Sequence, residues 1–236
     1  MNFETLLKEA EHYQLNLTHA QSELLVRDME LVLDINEIHN LTAITEESAF
    51  VEKHLLDSVL CDLGKLKPGS TVLDIGTGGG FPGIPLAICY PDLKFTLMDA
   101  TEKKIRLVGE IAEKLGLNNV RCICGRAEVL AKDPAYRENF DAVVSRGVAA
   151  YRILAELCLP FVKPGGFFYA WKGPGYTEEL TDAANALKIL KGKITGTKSE
   201  KLLKSNEVHV IIECHKEASA PAKYPRNYGA IKKKPL

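Results

Sequence analysis

The chain has 236 residues, of which 46% are hydrophobic and 26% charged, a composition that excludes a disordered or fibrous protein. No stretch holds the roughly 18 consecutive apolar residues that a membrane span requires. The acidic N-terminus also lacks the features of a signal peptide, so we expect a cytoplasmic protein, and we expect it to be a monomer.

The overall net charge of -1 hides an asymmetry along the chain. From Lys188 to the end, 12 Lys and Arg residues stand against 4 Asp and Glu residues, a net charge of +8. A basic end of this kind is either a solvated surface or the flank of a phosphate-binding site.

The first predicted unit is helical from residue 3 to residue 64. Apolar residues recur at helical spacing between Leu24 and Ile38, and a further helix is expected to start at Thr45. Gly64 and the sequence KPGS (67–70) end this unit. We therefore predict an N-terminal helical extension, residues 1–66, and a second domain, residues 67–236.

Short runs rich in β-branched residues alternate with helical segments in the second domain. This alternation predicts a doubly wound, mostly parallel seven-stranded α/β sheet, and the last two runs predict an antiparallel pair at its edge. The predicted strands are 71–75, 94–99, 120–124, 140–145, 165–172, 192–199 and 207–215. The predicted helices are 83–89, 101–115, 126–131, 150–162 and 176–190.

A glycine-rich loop follows the first predicted strand, in the sequence DIGTGGGFPG (74–83). In an open parallel sheet, the first strand-to-helix turn is where the backbone approaches a nucleotide closely. The loop also matches the dinucleotide pattern G-x-G-x-x-G. However, Asp74 would repel a pyrophosphate, and Phe81 and Pro82 are bulky where the phosphates would lie.

S-adenosylmethionine removes both objections, because it carries an adenosine, no phosphate and two positive groups that Asp74 would attract. Asp99, at the end of the second strand, is placed to accept hydrogen bonds from ribose hydroxyls. After the third strand, the sequence GRAE (125–128) would lie along the adenine, with Ala127 offering its backbone and Glu128 a polar contact. The pattern favours a class I, Rossmann-like S-adenosylmethionine-dependent methyltransferase.

Several stretches carry a more specific resemblance, namely NLTAI (40–44), KHLLDS (53–58), DIGTGGGFPGIPLAI (74–88), SRGVA (145–149), and KYPR (223–226) with a terminal KKKPL. With these motifs, nearly the whole chain resembles the bacterial 16S ribosomal RNA (guanine-N7) methyltransferase family, also called glucose-inhibited division protein B. One departure is Gly147, where the family pattern has alanine.

The resemblance implies methylation of N7 of a guanine in the decoding-centre loop of 16S ribosomal RNA, either as naked RNA or in the small ribosomal subunit. It also implies most of the cofactor contacts. Together with the loop argument, the predicted cofactor-binding residues are Asp74, Gly76, Gly78, Phe81, Asp99, Ala100, Thr101, Ala127, Glu128 and Arg146.

The segment after the fourth strand reads Ser145-Arg146-Gly147-Val148 and lacks the Asn/Asp-Pro-Pro-aromatic motif of enzymes that methylate exocyclic amines. Guanine N7 is a bare lone pair and needs no deprotonation. Alignment of two reactants can by itself supply roughly 7 to 11 kcal/mol. We therefore predict no protein nucleophile, no general base and no metal.

Two polar side chains are candidates for a role in the reaction. Arg146 is expected to position cofactor and base, with a surface salt bridge as the alternative. His54 is expected to pack with one satisfied hydrogen bond and not to act as an acid or base.

RNA as substrate fits the basic end of the chain. Tyr224 and Tyr228 are expected either to stack on bases or to pin the tail to its own domain. Because the tail follows the last strand, we expect residues 223–236 to lie outside the cofactor-binding turns. The predicted RNA-binding residues are Lys172, Lys201, Lys204, Lys223, Arg226, Lys232, Lys233 and Lys234.

Two other functions remain open at this point. One is a small-molecule methyltransferase in which the N-terminal helices form a lid, and the other is a non-catalytic ribosome-assembly factor that binds RNA. The six cysteines are scattered without a C-x-x-C pair and are predicted to be buried free thiols.

Overall fold

In the computed structural model, which describes residues 3 to 236, seven strands form one sheet in the order β3-β2-β1-β4-β5-β7-β6. Strands β1 to β5 are parallel, and β7 runs antiparallel to both β5 and β6. The predicted sheet and its antiparallel edge are confirmed. The strands are β1 Thr71–Ile75, β2 Lys94–Asp99, β3 Val120–Cys124, β4 Phe140–Arg146, β5 Val162–Lys172, β6 Gly192–Lys201 and β7 Val208–Lys216.

Helices precede the sheet and connect its strands. Those before the sheet are α1 Phe3–His12, α2 His19–Asn36, α3 Glu47–Phe50 and α4 Asp57–Val59, with a π-helical segment, Val51–Leu56, between α3 and α4. The helices that follow β1 in the chain are α5 Gly83–Cys89, α6 Glu102–Lys114, α7 Ala127–Leu130, α8 Tyr151–Cys158, α9 Tyr176–Asp182, α10 Ala184–Leu190 and α11 Tyr228–Lys233.

The prediction of helix throughout residues 3–64 was wrong for residues 13–18, 37–46 and 60–64, and the longest of these non-helical segments is the loop 37–46. The Asn36 side chain accepts hydrogen bonds from the backbone N–H groups of Leu41 and Thr42, at 2.8 and 3.0 Å. Such side-chain bonds give the backbone an alternative to helix. The next helix begins at Glu47, because the Glu46 carboxylate caps its first turn.

Two further helix predictions change in length. Helix α8 ends at Cys158, short of the predicted residue 162, because Pro160 lacks an N–H and disfavours helix in the residue before it. The predicted helix 176–190 is divided at Ala183 into α9 and α10.

The two faces of the sheet bury separate hydrophobic clusters. Successive strand residues point to opposite faces, so Val72 belongs to one cluster and Leu73 to the other. The first cluster also contains Leu25 and Phe50 from the N-terminal helices and Ile84 from α5. The N-terminal helices therefore share a core with the sheet, and a domain boundary at residue 66 stays a prediction.

The parallel register brings the ends of five strands to one edge of the sheet. Ile75 pairs with Met98, Asp99 with Cys124, and Arg146 with Trp171. The loops that follow these strands therefore lie side by side, which is where an open parallel sheet binds its ligands.

All six cysteines are free, as predicted, but they are not all buried. Cys61, Cys158 and Cys214 are buried, whereas Cys124 is exposed at the end of β3. None of the helices between residues 3 and 236 is long and apolar enough to cross a membrane.

Replacing Phe50 tests the shared core. Its ring is fully buried and lies 5.4 Å from the ring of Phe81, which follows β1. We expect Phe50→Ala to lower the free energy of unfolding by about 3 to 5 kcal/mol in urea, in a single transition, because the cavity spans both regions. Ile38→Ala, at a side chain 80% exposed, should change it by less than about 0.5 kcal/mol. Two separate transitions in the wild type would contradict a shared core.

Candidate active site

The glycine-rich loop between β1 and α5 positions one carboxylate at the sheet edge. Gly78 has a φ of 57°, a conformation that favours glycine, and its N–H donates to Oδ2 of Asp99 at 3.1 Å. The N–H of Thr101 donates to Oδ1 of Asp99 at 2.8 Å. Asp99 is therefore held by backbone groups from two loops, and Gly78 and Thr101 support it.

Most N–H groups of the loop bond within the protein. Those of Gly76 and Thr77 donate to the Met98 carbonyl, and those of Gly80 and Phe81 donate to the Thr77 carbonyl. A dinucleotide pyrophosphate is normally bound by free N–H groups at this turn. Because these groups already have partners, the loop is poorly suited to a pyrophosphate.

Asp74 lies beneath the loop. It is fully buried, and its Oδ2 accepts a hydrogen bond from the Gly83 N–H at 3.0 Å. A Cβ atom at Gly83 would lie 2.8 Å from that oxygen, so only glycine allows α5 to pack this closely. Burial raises the pKa of Asp74 to about 7. Asp74 therefore fixes the start of α5 from below and has no exposed surface for a ligand.

A cavity of about 270 Å³, here called the glycine-loop cavity, opens beyond β1, β2 and β3. Its lining includes the predicted residues Gly76, Asp99, Ala100, Ala127 and Glu128. Gly125 and Arg126, from the predicted GRAE stretch, also line it. Sequence reasoning missed the other lining residues, which are Ile75, Met98, Val148, Leu157 and Tyr228.

Tyr228 shows that the expectation for the C-terminal tail was wrong. The tail does not lie outside the predicted cofactor turns, because Tyr228 lines the glycine-loop cavity. The guanidinium carbon of Arg126 lies 5.4 Å from the centroid of the Tyr228 ring, and Arg126 also forms an ion pair with Glu128 at 2.6 Å. The one local signal is Asn227, whose side chain caps α11.

Arg146, at the end of β4, is held by the segment that runs from the π-helix into α4. Its Nη1 donates to the Lys53 carbonyl at 3.0 Å and to Oδ2 of Asp57 at 2.9 Å. Its Nη2 lies 3.2 Å from Nδ1 of His54. The side chain is only 14% exposed, which excludes the alternative of a surface salt bridge. Short π-helical segments are frequent at functional sites.

Asp57 connects this segment to strands β5 and β7. It is fully buried, and its Oδ1 lies 2.9 Å from Nδ1 of His209 on β7. The indole N–H of Trp171 on β5 donates to the Asp57 carbonyl at 2.9 Å. Arg146, Asp57 and His209 therefore form one network, which we call the Arg146 clamp.

His54 packs as predicted, but it makes two hydrogen bonds and not one. Its ring stacks on Phe81 at 4.4 Å, and its Nε2 lies 2.7 Å from Oγ1 of Thr42. Burial and the charge of Arg146 lower the pKa of His54 to about 3. The neutral ring accepts from Arg146 and donates to Thr42. Phe81 lies at this buried interface and is not among the residues that line the glycine-loop cavity.

A second cavity of about 300 Å³, here called the Arg146 cavity, lies beyond β4 and β5. Lys172 contributes to it, with its ammonium 2.7 Å from Glu179 and 2.5 Å from the Ala149 carbonyl. Its lining residues are Arg146, Gly147, Ala149, Trp171, Lys172, Gly173, Glu179 and His209.

The remaining predicted RNA-binding residues fall into two groups. Lys201 and Lys204 lie at the turn between β6 and β7, where Lys204 pairs with Glu9 at 2.7 Å. Lys223, Arg226 and the three lysines 232–234 lie in the tail, whose Tyr224 and Ile231 pack into the hydrophobic cluster that contains Leu73.

Arg226 differs from the other tail residues. Its Nε and Nη2 bond to the buried carboxylate of Glu156, and its Nη1 donates to the Lys234 carbonyl. Arg226 therefore anchors the tail to α8, and its guanidinium is occupied.

The sheet order, the glycine-rich loop and the acid after β2 define the class I fold of S-adenosylmethionine-dependent methyltransferases. Solved structures agree with this fold. M. jannaschii TYW2 in complex with AdoMet superposes with a TM-score of 0.55 at 16% identity, covering 73% of this chain and 77% of that one. The cyclase SpnF superposes with a TM-score of 0.57 at 13% identity, covering 85% of this chain and 97% of that one.

The family model described as rRNA small subunit methyltransferase G matches residues 21–210. Relatives named ribosomal RNA small subunit methyltransferase G include one from Thermoanaerobacter sp. strain X514, 44% identical over 99% of this chain and 98% of its own. Another, from Clostridium novyi strain NT, is 41% identical over 99% of this chain and 97% of its own. The chain belongs to this family, which confirms the resemblance seen in its motifs.

Within the described part of the chain, no group of three or more His, Cys, Asp or Glu side chains is arranged to hold a metal ion.

The clamp should make stability depend on pH. The hydrogen bond to Asp57 raises the pKa of His209 above 6.5, so the folded state favours the protonated ring. The stabilisation is fully present below pH 6.5 and is lost as the pH rises through the raised pKa. We expect the difference in the free energy of unfolding in urea between wild type and His209→Gln to shrink as the pH rises above 6.5.

His12→Gln, at an exposed histidine on α1, is the matched control and should keep a constant difference from wild type. A His209→Gln difference that is equally large at pH 5.5 and pH 8.5 would contradict the role of the Asp57–His209 pair.

Proposed function

We propose that the chain transfers a methyl group from S-adenosylmethionine to N7 of a guanine in the decoding-centre loop of 16S ribosomal RNA. Membership of the rRNA small subunit methyltransferase G family supports this proposal. The observation that carries it is the position of the segment after β4. Val148 lines the glycine-loop cavity, whereas Arg146, Gly147 and Ala149 line the Arg146 cavity. The two cavities therefore adjoin at one short segment, and direct transfer of a group requires two ligands to lie next to each other.

The glycine-loop cavity fits the adenosine part of S-adenosylmethionine. Asp99 and Glu128 are hydrogen-bond acceptors for hydroxyl and amino groups, and Ile75, Met98 and Leu157 offer apolar walls. When bound, S-adenosylmethionine supplies a methyl group on a positively charged sulfur. Asp99 is held in place by two backbone N–H groups before any ligand arrives, so little ordering is needed on binding.

The Arg146 cavity fits a base taken out of an RNA loop. Arg146, Lys172 and His209 line it, and the Lys53 ammonium lies 2.6 Å from Glu207, next to His209. Trp171 and the backbone of Gly173 contribute uncharged surface. Bases that proteins read in RNA are commonly unstacked and inserted into such pockets, with cationic groups around the phosphates.

Transfer to N7 needs orientation and not proton removal, because N7 carries a free lone pair. The histidines fit that requirement: both nitrogens of His54 are hydrogen-bonded, and Nδ1 of His209 is bonded to Asp57. Arg146 is fixed by three groups and neutralised by a buried carboxylate, so it holds the segment where the two cavities adjoin without adding net charge there.

The direct test incubates the chain and methyl-labelled S-adenosylmethionine with small ribosomal subunits that lack this modification, and in parallel with naked 16S RNA. Borohydride and aniline cleavage then maps any 7-methylguanine. We expect one labelled guanine in the decoding-centre loop. Cofactor binding without any RNA labelling would contradict the proposal and would favour the small-molecule or assembly-factor alternatives. Label on another type of base would contradict the assignment to guanine N7.

Asp99→Ala tests the cofactor assignment. We expect it to weaken S-adenosylmethionine binding by about 1.5 to 3 kcal/mol in calorimetry, because charge-assisted hydrogen bonds to the ribose are lost. Asp92→Ala, an exposed acid before β2, is the matched control and should bind like wild type. Asp99→Ala affinity within twofold of wild type would contradict the ribose assignment.

Arg146→Lys tests the positioning role. A lysine cannot bond to Lys53, His54 and Asp57 at the same time, so alignment should suffer while the charge is kept. We expect the single-turnover methylation rate at saturating ligands to fall at least about tenfold, with a smaller change in cofactor affinity.

Arg152→Lys, at an exposed arginine on α8, is the control for this substitution and should retain the wild-type rate. A folded Arg146→Lys variant with a wild-type rate would show that the clamp does not act in alignment.

A further inference from the structure

The C-terminal segment, residues 224–234, is docked against the α8 face of the sheet. Tyr224 and Ile231 are 7% and 0% exposed and belong to the hydrophobic cluster of that face. The Tyr224 carbonyl accepts a hydrogen bond from Nη1 of Arg137 at 2.8 Å. Arg226 bonds to the buried Glu156 at 2.8 and 2.5 Å. The position of the segment is therefore set by buried contacts.

The docked segment brings one aromatic ring to the glycine-loop cavity. Tyr228 is half-buried and lines the cavity together with Asp99 and Glu128. The Arg126 guanidinium lies over the ring at 5.4 Å and is itself tied to Glu128. Arg126 also lines the cavity, so a ligand bound there would lie beside both the guanidinium and the ring.

The same short helix carries Lys232 and Lys233, and Lys234 directly follows it. Helix α11 begins at Tyr228 and ends at Lys233, and Lys232, Lys233 and Lys234 are all exposed. Six helical residues span about 9 Å. A phosphate bound at these lysines would therefore lie about one helix length from the ring that lines the cavity.

We propose that Tyr228 contacts the adenosine part of bound S-adenosylmethionine, and that α11 thereby couples cofactor binding to RNA binding at Lys232–Lys234. This inference rests on the proposed function for the identity of both ligands. Aromatic rings bind bases by stacking, whichever base is present. RNA phosphates at the lysines hold α11 in its docked position, which favours the Tyr228 contact. By linkage, bound cofactor strengthens RNA binding by the same factor.

Calorimetry with S-adenosylmethionine alone tests the contact. We expect Tyr228→Ala to raise the Kd about tenfold and Tyr228→Phe to stay within about twofold of wild type, because the ring is retained. Tyr136→Ala, at a half-buried tyrosine on the same face that does not line the cavity, should bind like wild type. A folded Tyr228→Ala variant within twofold of wild type would overturn the proposal.

Hydrogen exchange on the wild-type protein gives a second test that does not depend on how the variant folds. We expect the amides of residues 228–234 to exchange more slowly when S-adenosylhomocysteine is bound. Unchanged exchange in this segment, with protection at the glycine-rich loop, would overturn the contact.

The coupling has its own measurement. Small-subunit RNA should lower the S-adenosylmethionine Kd of wild type, and the triple variant Lys232→Ala, Lys233→Ala, Lys234→Ala should lose that effect. A wild-type Kd for S-adenosylmethionine that RNA leaves unchanged would overturn the coupling. These results are separable from the proposed function, because an active wild type whose Tyr228→Ala variant binds cofactor normally refutes this inference alone.

Discussion

The buried ion pair between Arg146 and Asp57 is the contact on which the site depends. Asp57 directly follows the π-helical segment, and its carboxylate pairs with Arg146, the last residue of β4. The same carboxylate lies beside His209 on β7, and the Asp57 carbonyl accepts a hydrogen bond from Trp171 on β5. Removing one partner of a buried pair leaves an uncompensated charge and typically costs about 3 to 5 kcal/mol. The N-terminal helices are therefore locked to the sheet edge, which argues against their acting as a lid that opens over a small substrate.

The locked edge divides the binding surface by charge. The glycine-loop cavity has two carboxylates, Asp99 and Glu128, and one guanidinium, Arg126. The Arg146 cavity has two cations, Arg146 and Lys172, and one carboxylate, Glu179, with His209 beside them. The first suits a ligand with hydroxyls and positive charge, and the second suits a polyanion. The two cavities adjoin at the segment after β4, so the chemistry can rely on the fixed alignment of two neighbouring ligands.

Local sequence patterns predicted the parts of the molecule that depend on local physics. The alternation of strands and helices, the glycine-rich loop and the acid after β2 all lie where the patterns put them. Contacts between distant residues could not be predicted in this way. The partners of Arg146 lie about 90 residues away, and Tyr228 reaches the cavity only because Tyr224, Arg226 and Ile231 dock the tail. The burial of Asp74 likewise depends on how closely α5 packs at Gly83.

The most direct test of a two-cavity site is a structure of the chain on an unmodified small ribosomal subunit with an unreactive S-adenosylmethionine analogue. The account predicts the adenosine of the analogue in the glycine-loop cavity beside Asp99. It predicts an unstacked guanine in the Arg146 cavity, with N7 facing the segment from Arg146 to Ala149. RNA bound at the opposite edge of the sheet, or a target base outside the Arg146 cavity, would contradict it.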